Sequence, residues 1–179
     1  MNNAIGATRP RCGPEVKDWF DREIAIHTQA LALINSAERI CRLAGGDKGA
    51  CLLAKIAAFG VWAARINYKY MTWESCGERL GCWEDRRPIC PSVDDKNEIV
   101  TFCGVCLDSS ILGNFMFGIG CEWVGFRLQF CADAARQFHA LSTPQDTRAF
   151  ILGYSIAGLF RSKRRRRNVC DYLQSALAL

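Results

Sequence analysis

Eleven cysteines scattered from Cys12 to Cys170 constrain this chain more than any other feature. They lie at positions 12, 41, 51, 76, 82, 90, 103, 106, 121, 131 and 170. Such a spread fits several bridges tying distant elements together better than one compact metal site, and places the chain in an oxidising compartment. The odd count leaves at least one thiol unpaired. Two other readings stay open. Cys103-Gly-Val-Cys106 is a CxxC that Cys76, Cys82 or Cys90 could complete as a zinc site, although no second CxxC or HxxxH accompanies it. Reduced cysteine is also a common core residue, packing as a small hydrophobe. The expectation is disulfides, with no metal and no cofactor.

Half of the 179 residues are apolar, enough for a real core in one domain over 1–179, with a core at 11–160 and a basic segment and terminal helix at 161–179. The longest stretch without a charged side chain, Ile24–Ala37, falls short of the ~20 apolar residues of a membrane span. No transmembrane segment is expected. The N-terminus lacks a basic start followed by an apolar run, so no signal peptide is expected and export would follow a non-classical route. Net charge is +5, yet Arg161, Lys163, Arg164, Arg165, Arg166 and Arg167 exceed that by themselves and leave the rest of the chain at −1. That is a local patch for phosphate, lipid or an acidic partner, or simply a solvated loop, and not a broad nucleic-acid face.

The fold class expected is mainly α (α+β), a helical core with a short cysteine-containing β-ribbon near residues 89–107. Val16, Phe20, Ile24, His27, Leu31 and Ile34 recur at spacings of three and four, predicting an amphipathic helix opened by Pro14. His27 falls on that face and is expected to be a hydrogen-bonded core histidine. A second piece, Arg39–Ala44, follows Ser36 and stops at Gly45-Gly46. Ala50–Tyr70 is apolar nearly all round and is expected to be the central buried helix. The stretch from Glu74 to Pro88 reads as a surface loop. Ile99–Leu107 alternates as a strand, with Asp94–Asn97 turning a hairpin from Ile89–Val93.

Gly113, Gly118, Gly120 and Gly125 crowd the segment Leu112–Phe126, where glycine would cost a helix about 1 kcal/mol each. Close helix packing and close approach to a ligand explain them equally well. Phe130–Leu141 resumes a helix, and Ser142-Thr-Pro-Gln-Asp146 supplies the cap, proline and acid that open a last long helix through Phe160.

Four pieces of the chain, in order, resemble the polymorphic toxin type 44 domain found at the C-terminal end of large secreted bacterial toxins. They are Cys12-Gly-Pro-Glu-Val-Lys-Asp-Trp-Phe20, Val100-Thr-Phe-Cys-Gly-Val-Cys106, Leu112-Gly-Asn-Phe-Met-Phe-Gly118 with Gly125-Phe126, and Asp146-Thr-Arg-Ala-Phe-Ile-Leu-Gly-Tyr154. The resemblance extends over most of the chain and implies an intercellular toxin or effector, neutralised by a cognate immunity protein. That family often has histidine and tyrosine where this chain has Met116 and Phe117, so no catalytic histidine carries over.

Such domains look like hydrolases, and the residues admit two targets. A peptidoglycan-cleaving enzyme needs two carboxylates across a cleft, one kept protonated by an apolar setting. Glu122, beside Trp123, is the candidate acid, with Asp108 or Asp146 as its partner. A ribonuclease acting on RNA needs an acid, a base and a phosphate-holding cation, for which Glu122, Asp108, Arg148, His139 and the basic run are available. Asn114, Gly118, Arg148 and Tyr154 are candidate substrate contacts, and Trp73, Trp83 and Trp123 are either stacking platforms or core. Disulfides favour the wall over RNA, since an RNA-cleaving toxin works in a reducing cytosol. A third expectation is a disulfide-stabilised interaction protein with no active site.

Overall fold

The computed structural model describes residues 15–66, 99–137 and 141–160, together with Cys170 and Tyr172. Five helices and one hairpin follow one another as α1 (Lys17–Leu43), α2 (Lys48–Arg65), β1 (Ile99–Phe102), β2 (Val105–Asp108), α3 (Ser109–Val124), α4 (Leu128–Gln137) and α5 (Pro144–Phe160). The mainly helical class with a small ribbon is what the sequence led us to expect. No helix among the described residues is long and apolar enough to cross a membrane.

The first correction concerns α1, one unbroken helix of 27 residues where two pieces were expected. Ser36 does not interrupt it, because its hydroxyl donates back to the Ala32 carbonyl at 2.9 Å and leaves the backbone ladder intact. The second concerns Ile99–Leu107, which is not a single strand. It folds on itself, with Phe102 opposite Val105 and Val100 opposite Leu107. Cys103 and Gly104 both have positive φ, the backbone of a two-residue turn matched to strand twist. The expected partner strand Ile89–Val93, the turn Asp94–Asn97 and the loop 74–88 lie outside the described residues.

The third correction is which helix is central. α2 buries Cys51, Phe59 and Trp62, but Leu53 and Val61 are more than 60% exposed, so it is a one-sided helix. The buried helix is α3, whose residues from Ile111 to Val124 are buried apart from Phe117 and Glu122. Asp108 caps its start by accepting from Ser110 N at 2.8 Å, and Gly125, in the left-handed conformation, ends it.

Close packing accounts for Gly118 and Gly120 of α3. A Cβ on Gly118 would lie 2.1 Å from the Phe150 carbonyl oxygen, and one on Gly120 would lie 2.2 Å from the Trp62 ring. Gly153 of α5 returns the arrangement, its absent Cβ facing the Phe115 carbonyl at 2.0 Å. Contacts advance together along both chains: Asn114 with Asp146, Gly118 with Phe150 and Tyr154, Trp123 with Ala157. Hence α3 and α5 run parallel with backbones almost touching, and this dense contact offsets the helix propensity that glycine forfeits.

Three disulfides join the described cysteines: Cys41–Cys51 links α1 to α2, Cys121–Cys131 links α3 to α4, and Cys103–Cys170 ties the hairpin turn to the C-terminal region. Cys103 is thereby committed to a bridge, which removes the first thiol of the CxxC from any zinc reading. Of the basic segment and terminal helix, only Cys170 and Tyr172, both helical, are described.

Candidate functional site

The richest polar cluster lies where the hairpin feeds α3 and α5 begins. Thr143 caps α5, its hydroxyl accepting from Asp146 N at 3.1 Å, and Pro144 occupies the first helical position, where a missing N–H costs nothing. Asp146 is only 3% exposed. Its Oδ1 accepts from Asn114 Nδ2 at 2.8 Å and Ser110 Oγ at 3.2 Å. Its Oδ2 accepts from Thr143 N at 3.0 Å, Thr143 Oγ1 at 2.8 Å and Ser142 Oγ at 3.1 Å. A carboxylate offers about four lone-pair sites, so five donors saturate Asp146. It holds the two parallel helices and the cap together, and has no acceptor capacity left for a substrate proton.

Asp108 stands near this cluster, spending one carboxylate oxygen on its helix cap through Ser110 N. Glu122 does not join it. Fourteen residues of α-helix separate Asp108 from Glu122, about 21 Å at 1.5 Å per residue, and Asp146 sits at the Asp108 end. The two carboxyl groups of a glycosidase lie roughly 5–9.5 Å apart. The structure therefore does not bring Glu122 to either expected partner.

Of the expected substrate contacts, Asn114 is buried on Asp146 and Gly118 is spent on the α5 backbone. Tyr154 is half-buried, its hydroxyl donating to the Phe126 carbonyl at 2.9 Å. Arg148, on α5, is exposed and has no hydrogen bond or ion pair among the described residues. Trp123 is core, its indole N–H donating to the Ala157 carbonyl at 2.8 Å. Trp73, Trp83, His139 and the Arg161–Arg167 run lie outside the described residues.

His27 has the structural role its position suggested. Trp62 Nε1 donates to its Nδ1 at 3.0 Å, so the ring proton is on Nε2 and points at Glu23 Oε2, 3.1 Å away. A second polar centre, on the α1–α2 pair, escaped the sequence reading. There Lys55 Nζ lies 3.4 Å from both Asn35 Oδ1 and Glu38 Oε2, and Arg42 pairs with Glu38. Partial loss of solvent raises the Glu38 carboxyl, but the Arg42 and Lys55 charges together outweigh it and hold it below its ordinary value. A lysine in an otherwise apolar helix was the available signal.

Glu15 seats the hairpin: its carboxylate oxygens accept from Cys103 N and Gly104 N, both at 3.0 Å, while Val16 N donates to the Thr101 carbonyl at 2.8 Å. Among the described residues no group of three or more His, Cys, Asp or Glu is placed to hold a metal ion. No family model, curated protein or solved structure matches the chain.

Proposed function

We propose that this protein is a disulfide-stabilised effector domain, of the polymorphic toxin type 44 kind, that works outside the reducing cytosol and acts by binding its target. A cognate immunity protein is the partner this reading calls for. One observation carries the choice of binding over hydrolysis: Asp146 is saturated by five donors, Asp108 is engaged as a helix cap, and Glu122 stands about 21 Å along α3 from Asp108. No pair of these carboxylates has the spacing and freedom that acid–base cleavage of a polysaccharide requires.

Support for one effector unit comes from how the four resembling segments pack. Glu15 of the first holds the turn of the second, Phe20 meets Phe102 edge to face and Phe115 at a tilt with ring centroids 5.4 and 5.9 Å apart, and Asn114 of the third binds Asp146 of the fourth. Three bridges among the described cysteines support an oxidising compartment.

The test is growth of a bacterial host making the chain with and without a periplasmic export signal. The expected result is toxicity only on export, retained by the double variant Asp108→Asn, Glu122→Gln, since asparagine caps a helix as well as aspartate does. Loss of toxicity in that variant, with near-ultraviolet circular dichroism unchanged, would restore the wall-hydrolase reading. RNA degradation confined to cytosolic expression would replace both with a ribonuclease.

A further inference from the structure

We propose that the α1–α2 pair carries an anion site: an open, solvent-facing cavity of about 410 Å³ lined by Asn35, Glu38, Arg39, Arg42, Leu43 and Lys55 that takes a phosphate monoester group. This stands apart from the effector reading and does not depend on it.

Lys55 is only 7% exposed. An ammonium taken out of water needs strong compensation, and a lysine head has three protons to place. Its two oxygen contacts, Asn35 Oδ1 and Glu38 Oε2, are both at 3.4 Å, well beyond the 2.7–2.9 Å of a good charge-assisted hydrogen bond. The Phe126 ring, with its centroid 5.4 Å away, adds a cation–π contact. Glu38 cannot serve Lys55 alone, because Arg42 takes its other oxygen.

Arg39 adds the second half of the case. It lines the same cavity and has no hydrogen bond or ion pair among the described residues. Three cations against one carboxylate leave a surplus of two positive charges around the cavity. A phosphate monoester carries −1.5 to −2 near neutrality, and a guanidinium fork matches its oxygens in pairs. The helix ends do not oppose this: the C-terminus of α1 and the N-terminus of α2 meet at Cys41–Cys51, so their opposite partial charges offset each other. Leu43, 79% exposed at the cavity edge, offers an apolar rim to the group that bears the phosphate.

That group is either a soluble phosphomonoester or the headgroup of a phosphatidic-acid lipid, and the test separates them. Inorganic phosphate is titrated into the full chain by calorimetry at constant ionic strength. In parallel, sedimentation is measured with phosphatidylcholine vesicles with and without phosphatidic acid. The expected result is one phosphate per chain, weakened at least tenfold by Arg39→Gln and by Lys55→Met, and unaltered by Arg136→Gln on α4. Sedimentation with phosphatidic-acid vesicles, lost in Arg39→Gln, would support the same site with lipid as the source. Arg39 is exposed, so its variant keeps the fold even if Lys55→Met does not. Absence of binding to both probes, or binding that Arg39→Gln leaves unchanged, would overturn the proposal.

Discussion

Asn114 donates a 2.8 Å hydrogen bond from its side-chain amide to the buried carboxylate of Asp146, 32 residues downstream on a parallel helix. Both partners are less than 7% exposed. The pair turns the cap of one helix into a clamp on another, and makes Asp146 a structural residue first.

Replacing Asp146 should therefore be costly whatever the protein does. Asp146→Ala removes the carboxylate half of the α5 capping box, leaving only the Thr143 hydroxyl to accept from the backbone N–H at 146, and leaves the Asn114 amide buried without its acceptor, a loss of about 3 kcal/mol or more in urea unfolding. Asp146→Asn keeps part of the cap and should lose less. An unchanged unfolding midpoint for Asp146→Ala would mean the carboxylate is free for chemistry.

Glycines that look alike in sequence should respond with opposite sign. Gly118→Ala and Gly153→Ala force a methyl against backbone at 2.1 and 2.0 Å and should each cost roughly 3 kcal/mol by separating α3 from α5. Gly60 meets nothing within 4 Å on the exposed side of α2, so Gly60→Ala should stabilise by about 1 kcal/mol. Thermal unfolding of the three variants side by side reads both signs.

The bridges should differ in weight. Cys103–Cys170 closes a loop of sequence separation 67 and Cys41–Cys51 one of 10, for which chain entropy gives about 4 and 3 kcal/mol respectively. Paired Cys→Ser variants, compared by denaturant unfolding, should keep that order. Equal losses would point to strain or residual structure in the unfolded chain.

Acid should act on Glu38. Its carboxyl is held below the ordinary glutamate value in the folded chain, so its contribution is present above that ordinary value and is lost as pH falls through the lowered one. Glu38→Gln should flatten the acid limb of the stability profile relative to wild type. An unaltered acid limb would mean that Arg42 and Lys55 contribute nothing net to holding the charge.

Much of the local structure was legible because its causes are local. Thr143, Pro144 and Asp146 form a capping box whose parts lie within four residues, and the apolar spacing from Phe20 to Leu31 marks the buried face of α1. The unbroken run of α1 past Ser36 was missed because a serine can end a helix or bond back to it, and only the surrounding structure decides. The hairpin at Cys103-Gly104 was missed because the nine alternating residues Ile99–Leu107 read the same whether straight or folded back on themselves.

The sequence by itself determined the mainly helical class, the cysteine ribbon, the reach of the cysteines across the chain and the start of α5, all of which follow from short-range periodicity, capping chemistry and composition. Tertiary structure alone decided that α3 and not α2 is buried, that its Gly118 and Gly120 make room for the α5 backbone and the Trp62 ring, and that Asp146 is saturated while Glu122 stands apart from both aspartates. The physical reason is distance along the chain: periodicity tells which face of a helix is apolar, but the neighbour that covers it, and the donors that fill a carboxylate, come from segments tens of residues away.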